Sequence, residues 1–201
     1  MRIIFIVLFL FITIVGKAQT YLDNEESKAV LTEYIDGKYW VYKHIDGFIV
    51  GLVCETVSDK YGRYYQLDIL IRNLTDENVI FEPERVSAKL IKKWDAPMLK
   101  VYTNEAMQKK ITRTQNWAMV ADALNGYNTG NVSSLINTGI LEQDRKLIEA
   151  GYLKKHTIHP NEDLVGYMNV KYENGEFLTL YIPIGNSVFS YEWDVSKNSR
   201  K

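Results

Sequence analysis

The amino-acid sequence predicts a mainly β protein: an immunoglobulin-like antiparallel β-sandwich with a helix-loop-helix insertion. Two observations lead to this fold class. About eight short runs of β-branched and aromatic residues recur at spacings of about 8–12 residues, with turn residues between them. Between these runs, near residue 103, the apolar spacing changes to that of a helix. A flattened β-barrel is the alternative arrangement of the same strands.

Residues 1–18 have the composition of an export signal. Arg2 supplies a positive charge, Ile3–Val15 is almost entirely apolar, and Gly16 and Ala18 are small residues where a signal peptidase cleaves. The apolar run is shorter than the about 20 residues that a spanning helix needs, so a retained anchor is the less favoured alternative. We expect an exported bacterial protein of the periplasm or cell surface, without stable membrane insertion after cleavage of the signal.

Residues 19–201 are predicted to form a single β-sandwich domain, with the helical insertion at about 103–151. The formal net charge of −1 argues against a nucleic-acid partner. Cys54 is the only cysteine, which excludes an intrachain disulfide. Because Cys54 lies in an apolar run with no histidine beside it, we expect a buried, inert thiol.

The strands of the N-terminal half follow a short helical pattern at Ser27–Tyr34. The dipeptide Asp46-Gly47 favours a tight turn between the first two strands. In the third strand Leu67, Ile69 and Ile71 share one face, while the alternate positions Gln66, Asp68, Leu70 and Arg72 take the other. The predicted strands are Tyr39–His44, Phe48–Val57, Arg63–Asn73, Val79–Glu82, Glu84–Lys92 and Lys100–Tyr102.

The insertion is predicted from apolar residues spaced by three and four positions. Met107 and Ile111 belong to this pattern, which extends over 103–124 without glycine or proline. A loop rich in Gly, Asn and Ser follows at 126–139. A second helix is expected at 140–150, with Gly151 as its C-terminal stop.

The C-terminal strands are predicted as two successive hairpins. The Asn174-Gly175 pair favours a type I′ turn that would join Leu164–Tyr172 to Phe177–Ile184. A second turn at Gly185–Ser187 leads into Val188–Val195, in which aromatic residues alternate strictly with polar ones.

Five segments of the sequence carry a resemblance to known proteins: Arg113–Trp117, Gly151–Pro160, Val165–Tyr167, Ile182–Pro183 and Tyr191–Trp193. They resemble segments of a group of small exported proteins of Gram-negative bacteria, of unknown function, with an immunoglobulin-like sandwich and a helical insertion before the last three strands. The resemblance implies the fold and the export, and it implies no activity or catalytic residue.

His156, His159 and Glu162 are the candidate metal-binding residues. Their residue types suit a metal, but zinc requires three or four protein ligands in a strict geometry. The segment before Pro160 is predicted as a strand that ends in a turn, so the two histidines should point to opposite sides. We therefore favour polar residues at a strand end and predict no metal or cofactor. An envelope hydrolase or metal-binding protein that uses this region is the alternative function.

Two sets of residues are candidates for binding a partner. Tyr39, Trp40, Tyr42, Tyr64 and Tyr65 could form a platform for sugars or proteins, although core and cross-strand packing is favoured for strand aromatics. The partner-binding hypothesis for the insertion rests on Lys109, Lys110, Arg113 and Trp117, and the alternative is a helix that packs on a sheet edge.

The sequence contains no convergent catalytic set. A Gly-x-Ser-x-Gly nucleophile elbow is absent, and so is any nucleotide-binding glycine pattern. The expected function is therefore non-enzymatic: a binding or assembly module of the cell envelope, whose partner is an envelope protein or a surface glycan.

Overall fold

The computed structural model describes residues 30–114, 116, 145, 146 and 148–196. The predicted signal at 1–18, the predicted loop at 126–139 and Trp117 lie outside the described residues. None of the described helices is both long and apolar enough to cross a membrane.

The chain is mainly β, with antiparallel pairing in every sheet. A six-stranded sheet has the order β1-β2-β3-β4-β10-β8, a four-stranded sheet the order β12-β11-β6-β7, and β5 pairs with β9. A 3-10 helix spans Pro83–Arg85. Residues 104–114 are helical (α1), as are residues 148–151 (α2). The strands are β1 Val30–Ile35, β2 Lys38–Ile45, β3 Phe48–Asp59, β4 Gly62–Asn73, β5 Val79–Phe81, β6 Ser87–Ile91, β7 Met98–Leu99, β8 Val101–Tyr102, β9 His156–Ile158, β10 Asp163–Lys171, β11 Phe177–Ile184 and β12 Ser187–Asp194.

The two larger sheets bury one hydrophobic core, an arrangement consistent with a β-sandwich. The alternation predicted for β4 is confirmed, because Leu67, Ile69 and Ile71 are all fully buried. Other core residues are Val50, Leu52, Met168 and Val170 from the six-stranded sheet, and Ala88, Leu90, Leu178, Leu180, Ile182, Phe189 and Tyr191 from the four-stranded sheet.

Tight Asp-Gly turns build the first three strands into a meander. Asp46 and Gly47 have φ values of 50° and 78°, which is the left-handed pair that a type I′ turn needs. The turn predicted at this position is therefore confirmed. Asp36 and Gly37 form a second turn of the same kind, between β1 and β2.

The helix suggested for Ser27–Tyr34 is wrong over its described part, because residues 30–34 belong to β1. Each residue of β1 faces a residue of β2, from Val30 opposite Lys43 to Ile35 opposite Lys38. Pairing with a neighbouring strand determines the secondary structure of this segment, because helical spacing over so short a stretch contributes little to its stability.

The hairpin predicted at Asn174-Gly175 is also wrong. β10 pairs with β4 and β8, whereas β11 pairs with β12 and β6, so the chain crosses from one sheet to the other here. Gly175 does not adopt the left-handed conformation of a type I′ turn. A Cβ atom on Gly175 would lie 2.6 Å from Leu90 Cδ1, so the glycine permits close packing on the core. The predicted hairpin of the last two strands, β11 and β12, is confirmed.

Helix α1 packs its apolar side inward. Met107 and Ile111, whose spacing predicted a helix, are both buried in the core cluster. The Thr103 side chain accepts a hydrogen bond from the amide of Ala106 at 3.2 Å, which caps the helix N-terminus.

Candidate functional site

One side of the six-stranded sheet faces away from the four-stranded sheet, and we call it the outer face. On β4 this side includes the buried Tyr64, whose hydroxyl is bonded by Lys110 of helix α1. Side chains alternate along β3, so Val50 and Leu52 point into the core while Gly51 lies on the outer face. Strand register places Tyr42 opposite Gly51, which puts Tyr42 and its neighbour two positions away, Trp40, on the outer face as well.

Trp40 and Tyr42 form a pair of nearly parallel rings on the outer face. Their ring centroids are 6.0 Å apart and their planes differ by 20°. Both side chains are half-buried. A Cβ atom on Gly51 would lie 2.5 Å from Tyr42 Cε1 and 3.4 Å from Trp40 Cε3. The missing side chain of Gly51 therefore lets the Tyr42 ring settle against the backbone of β3, with the Trp40 ring beside it.

The five aromatic residues that were candidates for a binding platform, with core packing as the alternative, lie in three different places in the structure. Tyr64 and Tyr65 are each 1% exposed and belong to the core. Tyr39 lies on the opposite face of β2 from Trp40, where its ring centroid is 5.0 Å from that of Tyr34. Trp40 and Tyr42 alone of the five predicted residues share the outer face without being buried.

An ionic cluster lies beside the aromatic pair on the outer face. Lys38 Nζ donates to Asp68 Oδ2 at 2.5 Å and lies 3.5 Å from Glu55 Oε2. Gln66 Nε2 donates to Asp68 Oδ1 at 2.9 Å. The hydrogen bond to Asp68 raises the pKa of Lys38 against the opposing effect of burial. Two carboxylates thus share one ammonium, and Glu33, opposite Trp40 in the register, adds a further negative charge.

Cys54 lies on the core side of β3 and is packed against the hydrophobic core. The residue is half-buried, and burial of its thiol raises the pKa to about 12. Almost no thiolate is then present at neutral pH, which agrees with the inert thiol expected from the sequence.

The candidate metal residues are brought together by Glu162. One carboxylate oxygen of Glu162 lies 3.2 Å from His156 Nε2, and the other accepts the amide hydrogen of His159 at 2.7 Å. The hydrogen bond from the His159 amide lowers the pKa of Glu162, and the hydrogen bond with the His156 ring lowers it further. The His159 ring turns away, and its Nδ1 lies 2.9 Å from Asn78 Oδ1. Among the described residues, no group of three or more His, Cys, Asp or Glu is arranged to hold a metal ion.

A cleft of about 630 Å³ lies at one end of the two sheets, near Asn78. Two turns and the β4–β5 connection meet there. The hydroxyl of Ser187 donates to Asp46 Oδ2 across the cleft. Its lining residues are Asp46, Phe48, Thr75, Asp76, Glu77, Asn78, Val79, Gly185, Asn186 and Ser187.

The basic residues of helix α1 do not act as one patch. Lys110 turns inward: its Nζ donates to the Tyr64 hydroxyl at 2.6 Å and lies 5.2 Å from the ring centroid of Tyr102. Burial lowers the pKa of Lys110. Lys109 and Arg113 are exposed and, four positions apart, share a helix face. They stay candidates for partner binding.

No family model, no curated protein and no solved structure matches this chain. Its function must be inferred from its own residues.

The outer face combines features that suit a ligand with both apolar and polar groups. The aromatic rings offer apolar surface with a negative π face. The neighbouring carboxylates and the Gln66 amide offer acceptors and a donor within the same surface.

Proposed function

We propose that this protein is an exported, non-enzymatic binding module of the cell envelope, and that its outer face binds a neutral surface glycan. The carrying observation is the Trp40–Tyr42 pair held against Gly51. The proposal includes the immunoglobulin-like class of the sandwich and its helical insertion at about 103–151. The apolar leader in residues 1–18 supports export, and the two sheets around one core support the sandwich class.

A glycan fits the mixture of groups on the outer face. Sugar rings have apolar C–H faces that pack on aromatic rings, whose π faces carry partial negative charge. Sugar hydroxyls both donate and accept hydrogen bonds, so they can use the carboxylates of Glu55 and Asp68 and the amide of Gln66. An apolar protein partner would remove water from the remaining lone pairs of these carboxylates without replacing its hydrogen bonds, at a free-energy cost.

The charge of this surface favours a neutral ligand. The ammonium of Lys38 is held by Asp68 and Glu55, so the ionic cluster retains a net negative charge. Glu33, across from Trp40, adds to it. A phosphorylated or uronic-acid glycan would be repelled over the range of a Debye length, about 8–10 Å in physiological salt.

The alternative is an envelope hydrolase or metal-binding protein that uses His156 and His159. It has less support because Glu162, the nearest carboxylate, already bonds the His156 ring and the His159 amide. The His159 ring is bonded to Asn78. A metal would have to replace these contacts.

The proposal is tested by calorimetric titration of the purified protein with maltohexaose and cellohexaose, and with oligogalacturonate as an anionic probe. We expect at least one neutral oligosaccharide to bind, and Trp40→Ala to weaken it about tenfold, or about 1.4 kcal/mol. Tyr39→Ala is the matched control, because Tyr39 is an exposed tyrosine on the opposite face of the same strand.

Two results would overturn the proposal. One is that neither neutral oligosaccharide binds. The other is that Tyr39→Ala weakens binding as much as Trp40→Ala does, since the ligand would then not lie on the outer face.

A further inference from the structure

The edge strand β1 (Val30–Ile35) leaves one row of backbone groups open. Within the part of the chain that the structure describes, only β2 pairs with β1. An open edge presents N–H and C=O groups that can pair with another strand.

The turn at Asp36-Gly37 decides which backbone groups point to the open edge. In a two-residue hairpin the flanking residues, here Ile35 and Lys38, exchange both backbone hydrogen bonds. Hydrogen-bonded pairs alternate along an antiparallel ladder, so Glu33 and Leu31 also bond to β2. Val30, Thr32 and Tyr34 therefore direct their N–H and C=O groups outward.

The sequence of β1 protects this edge only weakly. Natural edge strands often carry charged residues, proline or a bulge that prevents pairing. β1 has one charged residue, Glu33, and neither a proline nor a bulge, and its register with β2 is continuous from Val30 to Ile35. Its apolar side chains are exposed, at 47% for Leu31, 63% for Tyr34 and 37% for Ile35.

We propose that β1 pairs with β1 of a second copy of this chain, antiparallel and centred on Thr32. In this register Thr32 faces its own copy and Val30 faces the second copy's Tyr34. All outward-directed groups then meet outward-directed groups, which forms about six backbone hydrogen bonds. The two six-stranded sheets become one continuous sheet.

The side chains of β1 favour this register. Val30 opposite Tyr34 is a β-branched residue against an aromatic ring, a stabilising cross-strand pair. Leu31 lies opposite the second copy's Glu33, so that no like charges face each other. A register centred on Glu33 would oppose two carboxylates directly, which is destabilising. The strand is thus complementary to itself, which is the reason to expect a second copy and not an unrelated segment.

The dimer has one consequence that rests on the proposed function. A two-fold axis perpendicular to the sheet keeps both outer faces on the same side. β2 and its copy are then separated by three strand spacings, or about 14 Å. Two Trp40–Tyr42 pairs would be available to one polysaccharide chain, which raises affinity through effective concentration.

The dimer is tested by sedimentation equilibrium of the purified protein and of two variants, Thr32→Lys and Thr32→Glu. Because Thr32 faces its own copy, each variant alone opposes two like charges, and we expect the dimer to weaken about tenfold. An equimolar mixture opposes Lys to Glu and should recover the dimer. Val188→Lys, at an exposed position of the edge strand β12, is the control that should leave dimerisation unchanged.

The equimolar mixture distinguishes a variant that has lost only the dimer interface from one that has misfolded, because two misfolded variants would not form a dimer when mixed. A monomeric wild-type protein would overturn the proposal and leave the edge to a strand of another protein. A dimer broken by Val188→Lys, or left intact by both Thr32 variants, would also overturn it. None of these measurements depends on glycan binding, so the two proposals fail independently.

Discussion

The hydroxyl of Tyr191 on β12 donates a hydrogen bond to the carbonyl oxygen of Val50 on β3, at 2.7 Å. Both residues are buried, and the bond joins the two sheets through the core. Three other tyrosine hydroxyls also donate to backbone carbonyl oxygens: Tyr64 to Tyr61, Tyr65 to Glu173 and Tyr152 to Tyr102. These four tyrosine hydroxyls are in this way satisfied by the backbone.

Tyr191→Phe should destabilise the protein by about 1–2 kcal/mol, because it removes this bond while keeping the ring. The measurement is the free energy of unfolding in urea. Tyr39→Phe is the control, since Tyr39 is 63% exposed and its change should fall within about 0.5 kcal/mol. Equal effects of the two changes would show that the bond across the core contributes nothing.

Stability should fall at alkaline pH. Burial raises the pKa of Tyr64, Tyr65, Tyr152 and Tyr191 above the ordinary value of 10.0. Between the unfolded and folded pKa values only the unfolded state loses these protons, so stability is fully present below pH 10 and declines above it.

Each tyrosine that stays protonated should contribute a slope of about 1.4 kcal/mol per pH unit above pH 10. Urea unfolding from pH 8 to pH 12 measures this slope. Tyr191→Phe should make the slope shallower by the contribution of one tyrosine. An unchanged slope in that variant would show that Tyr191 does not contribute to the loss of stability at alkaline pH.

Gly51→Ala should weaken glycan binding more than it weakens the fold. The new methyl group would lie 2.5 Å from Tyr42 Cε1, so the ring must move away from β3. We expect about a tenfold loss of affinity, or about 1.4 kcal/mol. In a double-mutant cycle the loss should not add to that of Tyr42→Ala, because both changes act through the same ring. Additive losses would refute this role of Gly51.

Lys110→Ala should destabilise the protein by about 1–2 kcal/mol, whereas Lys109→Ala should change stability by less than about 0.5 kcal/mol. Lys110 Nζ bonds the Tyr64 hydroxyl and lies 4.2 Å from the ring centroid of Tyr64. Lys109, its neighbour, is exposed. Thermal unfolding of the two variants distinguishes the inward lysine from the outward one. Equal melting temperatures would count against a structural role for Lys110.

The local parts of the fold were predictable from the sequence. The turn at Asp46-Gly47 needs only two residues that accept positive φ, and the buried face of β4 needs only the alternation of Leu67, Ile69 and Ile71. The β11–β12 hairpin follows from the same two kinds of signal. Each of these signals acts between residues that are close in sequence.

The failures came where a distant segment decides the structure. Asn174-Gly175 has the sequence of a hairpin turn, yet Gly175 is packed on Leu90 and the chain changes sheets there. The candidate site depends on distant segments in the same way. Lys38 meets Asp68 across 30 positions of sequence, and no spacing rule relates the two residues.

By itself the sequence determined the strand-rich composition, the tight turns and the alternation that separates a core face from an outer face. Only the tertiary structure decided which aromatic residues are buried. Tyr64 and Tyr65 point to opposite faces of β4 and are both buried, while Trp40 and Tyr42 stay half-buried on the outer face. The physical reason is that alternation sets two faces for every strand, but which part of each face becomes buried depends on what packs against it in the assembled fold.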